Sequence, residues 1–340
     1  MGIKARRYAD ILAGAPEYVT GRQEEWKAFL ATAARNYKYP YYDQLMIYLQ
    51  RPEATACAEY DFWFDTMHRY VKRGAKGIAL VDNEGDSPRL RYVFDVADTG
   101  ARRNSRPVWL WQMKEEYRNP VMAALERAYG ISGENQSLEA QLEQVAGRLA
   151  ADYWLDYGRQ IRGIVADSFL EEYDEFNIGT VFRKAAQASI AYTLSVRCTE
   201  EGENLFEPED FRDVSDFNTR QTAAALGTAV SSISREVFRE IERAIRDYER
   251  TKAQERSQNY AERNNIQAGR GLSSAGDRVE RDHRETSGQI RENAQGISEG
   301  EQSDTLQRSG TGGEVISPSS GDRRDSAPEA GSADEGTSGE

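Results

Sequence analysis

Aromatic and basic side chains crowd one short region of this chain, residues 36–99, in a combination that can bind nucleic acid. Flat rings offer faces on which unpaired bases stack, while lysine and arginine side chains reach phosphates. In the first half of the region the candidate DNA-binding residues are Tyr37, Lys38, Tyr39, Tyr41, Tyr42, Gln50, Arg51 and Trp63. Together these residue types predict a site for single-stranded DNA.

A basic loop with two glycines supplies the second group of candidates. It directly precedes an apolar strand candidate at residues 78–81, and glycine allows such a loop to approach a ligand without a Cβ clash. The candidates in the loop are Lys72, Arg73, Gly74, Lys76 and Gly77, and the next predicted strand adds Arg89 and Arg91. The alternative interpretation of the loop is a purely solvated turn.

The aromatic rings also admit a structural interpretation. The apolar and aromatic residues between positions 41 and 49 fit an amphipathic helix whose stripe packs in a core. Tyr39 and Tyr41 flank Pro40, where the chain cannot yet be helical. At least one of these two tyrosines is therefore expected to be exposed and to stack on a base.

Six short segments follow one another in this region: LMIYL at residues 45–49, QRP at 50–52, AT at 54–55, W at 63, VKRGAKGI at 71–78 and VFDV at 93–96. In this order they resemble the N-terminal domain of ArdC-type antirestriction proteins and the related LtrC-like regions that open large proteins of conjugative elements. The resemblance implies sequence-independent binding of single-stranded DNA by a bacterial mobile element, with host restriction or conjugation proteins as further partners.

Segments of the second half, at residues 189–198, 209–211, 216–219 and 225–229, resemble the region that follows this domain in the large conjugative-element proteins. In ArdC itself the second half is zinc metallopeptidase-like, with a His-Glu-x-x-His helix. This chain departs from that pattern, because its two histidines are His68 and His283 and no helix can present two imidazoles one turn apart to zinc. We therefore predict a non-catalytic protein with no metal ion or other cofactor.

The charge is divided unevenly along the 340 residues, although its formal sum is -13. Residues 1–114 hold 18 Lys+Arg against 14 Asp+Glu, whereas residues 115–249 hold 14 against 26 and residues 250–340 hold 12 against 17. The basic excess coincides with the candidate DNA-binding region, as phosphate contacts require. The acidic middle third leaves an alternative function open, a surface that imitates nucleic acid and occupies a nuclease or restriction enzyme.

The elements that must position these residues predict an α+β fold. A small helix-plus-β-hairpin domain spans residues 1–106, with helices at 21–37, 40–51 and 58–70 and strands at 78–82 and 89–96. An acidic, mainly helical domain spans residues 107–250, and the resemblance relates it to a degenerate zincin-like region. Residues 251–340 are too polar to bury a core, so we expect a disordered tail. A third alternative makes this tail the linker from an N-terminal fragment to methylase and helicase domains.

Neither a membrane nor an oxidising compartment is expected. No stretch approaches roughly 18 uninterrupted apolar residues. The two cysteines, Cys57 and Cys198, lie far apart, each in a segment expected to be helical. A disulfide framework is therefore not expected, and the sequence predicts a soluble, cytoplasmic protein without a membrane partner.

Overall fold

The computed structural model describes residues 3–82, 87–200 and 202–276. These residues form seven α-helices and five short β-strands. In chain order they are α1 (Ile3–Thr20), α2 (Gln23–Arg35), α3 (Tyr41–Gln50), β1 (Cys57–Glu59), β2 (Arg69–Val71), β3 (Ile78–Asp82), β4 (Arg89–Asp95), β5 (Thr99–Ala101), α4 (Glu115–Tyr129), α5 (Leu138–Arg162), α6 (Glu175–Cys198) and α7 (Arg220–Gly276). A π-helical turn, Phe62–Thr66, lies between β1 and β2. The predicted α+β fold class is confirmed.

Prolines and apolar spacing fix the helices of the N-terminal part. α3 begins directly after Pro40 and ends before Pro52, as predicted, because proline lacks the N–H that a helix interior requires. α2 occupies most of the predicted helix at 21–37 and buries Trp26 and Phe29. α1 was not predicted, although it also has a buried apolar stripe at helical spacing: Leu12, Ala15 and Val19.

Two small antiparallel sheets carry the central region. β4 lies between β1 and β3 in a three-stranded sheet, and β2 pairs with β5 in a separate ribbon. The predicted hairpin is confirmed, with Ile78 opposite Val93 and Asp82 opposite Arg89. Because successive side chains of a strand point to opposite faces of the sheet, Tyr92 and Phe94 share one face of β4, while Arg91 and Val93 share the other.

The segment at residues 58–70, predicted as a helix, instead contains part of β1, the π-helical turn and part of β2. Cys57 lies opposite Asp95 in the β1–β4 pair, so this cysteine is on a strand and not on a helix. The indole N–H of Trp63 donates to the Phe94 carbonyl oxygen at 2.9 Å, across 31 positions of chain. The prediction is wrong because such long-range hydrogen bonds override the local helical pattern.

One hydrophobic core runs through both halves of the described chain. The indole N–H of Trp26 on α2 donates to the Ser189 hydroxyl on α6 at 2.8 Å, and the Tyr37 ring lies 4.9 Å from that of Phe238 on α7. The described residues all belong to one compact unit, and the predicted boundary at 106/107 lies inside it.

The helical half follows its predicted pattern. The Ser137 hydroxyl accepts from the Ala140 N–H at the start of α5, and the Asp174 carboxylate accepts from the Asn177 N–H at the start of α6. α7 continues to Gly276, past the predicted boundary at residue 250. Residues 277–340 of the predicted tail lie outside the described residues. Among the helices that are described, none combines the length and apolar character needed to cross a membrane.

Candidate nucleic-acid interface

The tyrosines at positions 37–42 differ in exposure. Tyr37 and Tyr41 are each 3% exposed, and Tyr39 is partly buried, its hydroxyl donating to the Cys57 carbonyl oxygen at 2.8 Å. The expectation that Tyr39 or Tyr41 is exposed is therefore wrong. Only Tyr42 of this group is exposed, at 41%.

Helix α7 buries Tyr41. The Tyr41 ring lies so close to Gly227 that a Cβ atom there would be 2.1 Å from it, and it meets the Phe29 ring edge-on at 5.7 Å. In this arrangement Tyr41 offers no face to a base. The sequence alone could not show this, because α3 and α7 are almost 180 residues apart.

Tyr37 and Lys38 form a partly buried polar cluster with Glu242 and Arg246 of α7. The Tyr37 hydroxyl donates to the Glu242 carboxylate, and the same carboxylate accepts from Lys38 at 3.3 Å and from Arg246 at 2.7 Å. Burial, followed by the charge of Glu242, raises the pKa of Tyr37. Burial also lowers the pKa of Lys38, and Glu242 only partly opposes that effect. The contacts make Tyr37 and Lys38 structural links between the N-terminal part and α7.

Gln50, Arg51 and Trp63 likewise make internal contacts. The Gln50 amide donates to the Ala79 carbonyl oxygen at 2.8 Å and accepts from the Ala79 N–H at 2.9 Å, which fixes α3 against β3. Arg51 forms an ion pair with Asp98. Trp63 is buried against β4. These contacts make all three residues part of the packing around the sheets, although Gln50 itself is exposed while Arg51 is partly buried and Trp63 is buried.

Two of the segments that carried the resemblance meet at Asp95. Its carboxylate is buried and accepts from the backbone N–H groups of Thr55 at 2.6 Å, Ala56 at 2.9 Å and Ala97 at 2.9 Å. A buried carboxylate needs such donors, since an unpaired buried charge is costly. The AT and VFDV segments thus contain residues that hold the fold together.

The side chains of the basic loop are mostly exposed, and Lys72 anchors the start of the loop. The Lys72 N–H donates to the Asp98 carbonyl oxygen at 2.8 Å, and its ammonium group donates to the Ala97 carbonyl oxygen at 2.9 Å. Gly74 has a φ of 86°, in the left-handed region that favours glycine. Arg73 and Lys76 are exposed and make no ion pair with any described residue.

The two arginines of β4 have different surroundings. Arg89 is exposed at the end of the strand. Arg91 forms an ion pair with Asp43 on α3 and a longer one, at 3.5 Å, with Glu59 on β1. Of the two, Arg89 has the freer charge for a phosphate.

Three exposed rings that are not among the sequence-based candidates lie in one group, and an arginine is near two of them. Tyr60, Phe64 and Tyr70 are 49%, 41% and 42% exposed. The Tyr60 and Phe64 rings are nearly parallel, with centroids 6.0 Å apart and planes at 10°. The Arg102 guanidinium lies 5.1 Å from the Phe64 ring and 5.8 Å from the Tyr70 ring. We call these four residues the aromatic–arginine surface.

The β2–β5 ribbon builds this surface. Tyr70 stands opposite Gly100, where a Cβ atom would lie 2.3 Å from the tyrosine ring, so the glycine lets the ring lie across the ribbon. The Ser105 hydroxyl accepts from the Arg102 N–H at 2.6 Å and donates to the His68 carbonyl oxygen at 2.7 Å. These bonds hold the turn after β5.

The charge beside the aromatic–arginine surface is mixed but mainly basic. Arg103 and Arg106 are exposed on the turn that follows Arg102, and the basic loop leads away from Tyr70. Asp61 and Asp65 are exposed on the segment that carries Tyr60 and Phe64. The signals available in the sequence were the cluster YDFWF at residues 60–64 and the run RRNSR at 102–106.

No family model, no curated protein and no solved structure matches this chain. The resemblance to ArdC-type proteins therefore stays a prediction.

Proposed function

We propose that this protein binds single-stranded DNA without sequence preference, through the aromatic–arginine surface and the adjoining basic loop. The observation that carries the proposal is the parallel, exposed pair Tyr60 and Phe64 beside Arg102, whose guanidinium lies over two rings. The proposed site does not include Tyr37 and Tyr41, which the sequence had suggested, because their rings are buried.

Each part of the surface has a role that matches the chemistry of a single strand. An exposed ring stacks on any base, because every base has a π-face, and one such contact is worth about 1 to 3 kcal/mol. A guanidinium plane stacks on bases as well. Arg73, Lys76, Arg103 and Arg106 are exposed and supply phosphate contacts without reading the base edges.

The sequence resemblance supports the same function from a separate direction. Proteins of that type belong to conjugative and other mobile elements, and the role that follows for this chain is antirestriction-related protection of a transferred strand. The proposal includes a cytoplasmic location and a non-catalytic mechanism, since the residues it uses stack and pair with charge and perform no bond-breaking step.

Anisotropy titrations of fluorescent twelve-nucleotide DNA test the proposal. The full chain is expected to bind thymidine and mixed-sequence single strands alike, and a duplex of the same length more weakly. Phe64→Ala and Tyr70→Ala should each weaken single-strand binding by about 1 to 3 kcal/mol, with melting temperatures close to that of the unmodified protein because both rings are exposed.

Phe176→Ala is the matched control, because Phe176 is a strongly exposed ring on α6, outside the aromatic–arginine surface. Its affinity should equal that of the unmodified protein. Equal affinity of Phe64→Ala, Tyr70→Ala and the unmodified protein would reject the proposed surface, and an absence of binding would reject the function.

A further inference from the structure

Aromatic side chains continue from the aromatic–arginine surface onto the three-stranded sheet, first the partly buried Phe94 and then the exposed Tyr92. The Tyr60 ring meets the Phe94 ring of β4 edge-on, with centroids 6.5 Å apart. Phe94 and Tyr92 lie two residues apart on one face of β4, and Tyr92 is 38% exposed. A path of aromatic side chains therefore leads from Tyr70 to Tyr92.

The end of the basic loop lies beside this path. A Cβ atom on Gly77 would be 3.1 Å from the Phe94 ring and 3.2 Å from the Tyr92 Cβ. Because Gly77 has no side chain, the loop backbone passes close to both aromatic residues. Lys76, directly before it, is exposed. Positive charge thus accompanies the rings at the point where they pass from the ribbon to the sheet.

Helix α1 brings further positive charge to the far end of the path. The Lys4 ammonium group lies 5.3 Å from the centre of the Tyr92 ring, and a hydrogen bond with Tyr92 raises the pKa of Lys4. Arg6 and Arg7 are exposed as well, and of the two only Arg7, three residues after Lys4, shares its side of the helix. Neither arginine makes an ion pair with any residue that the structure describes.

We propose that Tyr92, Lys4 and Arg7 form a second contact patch of the same DNA site, which we call the α1 patch. This inference rests on the proposed function. A strand bound at Tyr70 and Phe64 continues over Tyr60 and Phe94 to Tyr92, where a base stacks and the α1 side chains hold phosphates. Short strands fill only the first part of the path, and longer strands reach the α1 patch.

The length of the DNA oligonucleotide distinguishes the aromatic–arginine surface from the α1 patch, because only a longer oligonucleotide reaches both. Anisotropy titrations of the full chain compare single-stranded thymidine oligonucleotides of about four nucleotides, the lower end of common site sizes, with oligonucleotides three times as long. The variant Lys4→Gln/Arg7→Gln should weaken binding of the longer strand at least tenfold and lower its salt slope by about 0.7 for each lost phosphate contact. Its affinity for the short strand should change less than twofold. Tyr92→Ala should show the same dependence on length.

A charge-matched variant on the helical half serves as the control. Arg159→Gln/Lys184→Gln removes two exposed positive charges from α5 and α6 and should leave both affinities unchanged. Equal binding of the two lengths by the unmodified protein overturns the α1 patch. The α1 patch is also overturned if the control variant loses as much affinity as the α1 variant, or if the α1 variant binds the longer strand as tightly as the unmodified protein does. If the unmodified protein binds neither strand, the proposed function fails and the α1 patch fails with it.

Discussion

At the scale of single residues, Tyr37 and Tyr41 are equally buried but their hydroxyl groups have opposite surroundings. The Tyr37 hydroxyl donates to Glu242 and accepts from the Trp111 indole N–H at 3.3 Å. The Tyr41 hydroxyl is buried without a hydrogen-bond partner among the described residues. A buried hydroxyl that bonds to a charged group stabilises the fold, whereas an unpartnered one costs free energy.

Removing each hydroxyl should therefore change stability in opposite directions. Tyr37→Phe is expected to lower the free energy of unfolding by about 1 to 3 kcal/mol, because Glu242 loses a donor inside the protein. Tyr41→Phe should leave it unchanged or raise it by up to about 1 kcal/mol. Urea denaturation of the two variants measures the difference. A larger loss for Tyr41→Phe than for Tyr37→Phe would contradict the hydrogen bonding described here.

At the scale of elements, α7 is the support against which α3 packs. Gly227 is what allows the close approach, since the Tyr41 ring occupies the space that a side chain would need. Glycine in a helix interior ordinarily costs stability relative to alanine. Its presence at position 227 is explained by this packing and not by any preference of the helix.

Two glycine-to-alanine changes should separate packing from helix propensity. Gly227→Ala is expected to destabilise the protein by about 1 to 3 kcal/mol, because the new methyl group displaces the Tyr41 ring. Gly14→Ala on α1 is the control, since a Cβ atom there has nothing within 4 Å, and it should stabilise by up to about 1 kcal/mol. Thermal melts followed by circular dichroism measure the stability change of each variant. Similar gains at both positions would show that α3 and α7 are not in close contact.

At the scale of the whole molecule, the core crosses the boundary that the sequence predicted at 106/107. The Glu242 cluster shows the connection: its carboxylate on α7 is held by Tyr37 and Lys38 from the N-terminal part. Burial acts to raise the pKa of Glu242, but the Tyr37 hydroxyl, Lys38 and Arg246 together lower it. The N-terminal part by itself would leave Tyr37, Lys38 and the surface against α6 and α7 exposed.

We therefore expect a fragment of residues 1–106 not to fold alone, whereas residues 1–276 retain the compact unit. The reason is that the shorter fragment lacks α6 and α7. Tyr37 would lose its contact with the Phe238 ring, and Trp26 would lose its hydrogen bond to Ser189. Circular dichroism melts and amide chemical-shift dispersion compare the two fragments. A cooperative melt of the shorter fragment would restore the two-domain interpretation.

Local pattern alone determined a large part of this protein. Proline positions and apolar spacing predicted α2, α3 and the helices of the second half, and alternation predicted the β3–β4 hairpin, because these signals act over a few residues. The exposed basic loop was also visible in this way. Local pattern did not determine which face of each element is buried by the rest of the protein, because a short apolar run fits either a core or a binding surface.

Only the tertiary structure decided which rings are available to a ligand. The helix that covers Tyr37 and Tyr41, α7, begins at Arg220, about 180 residues later in the chain, and no local feature marks the two tyrosines as buried. Arg102 lies over Phe64 and Tyr70 because β2 pairs with β5, about 30 positions later. Long-range pairing of this kind depends on the whole core and not on neighbouring residues, which is why the sequence pattern could not distinguish the buried rings of this region from the exposed ones.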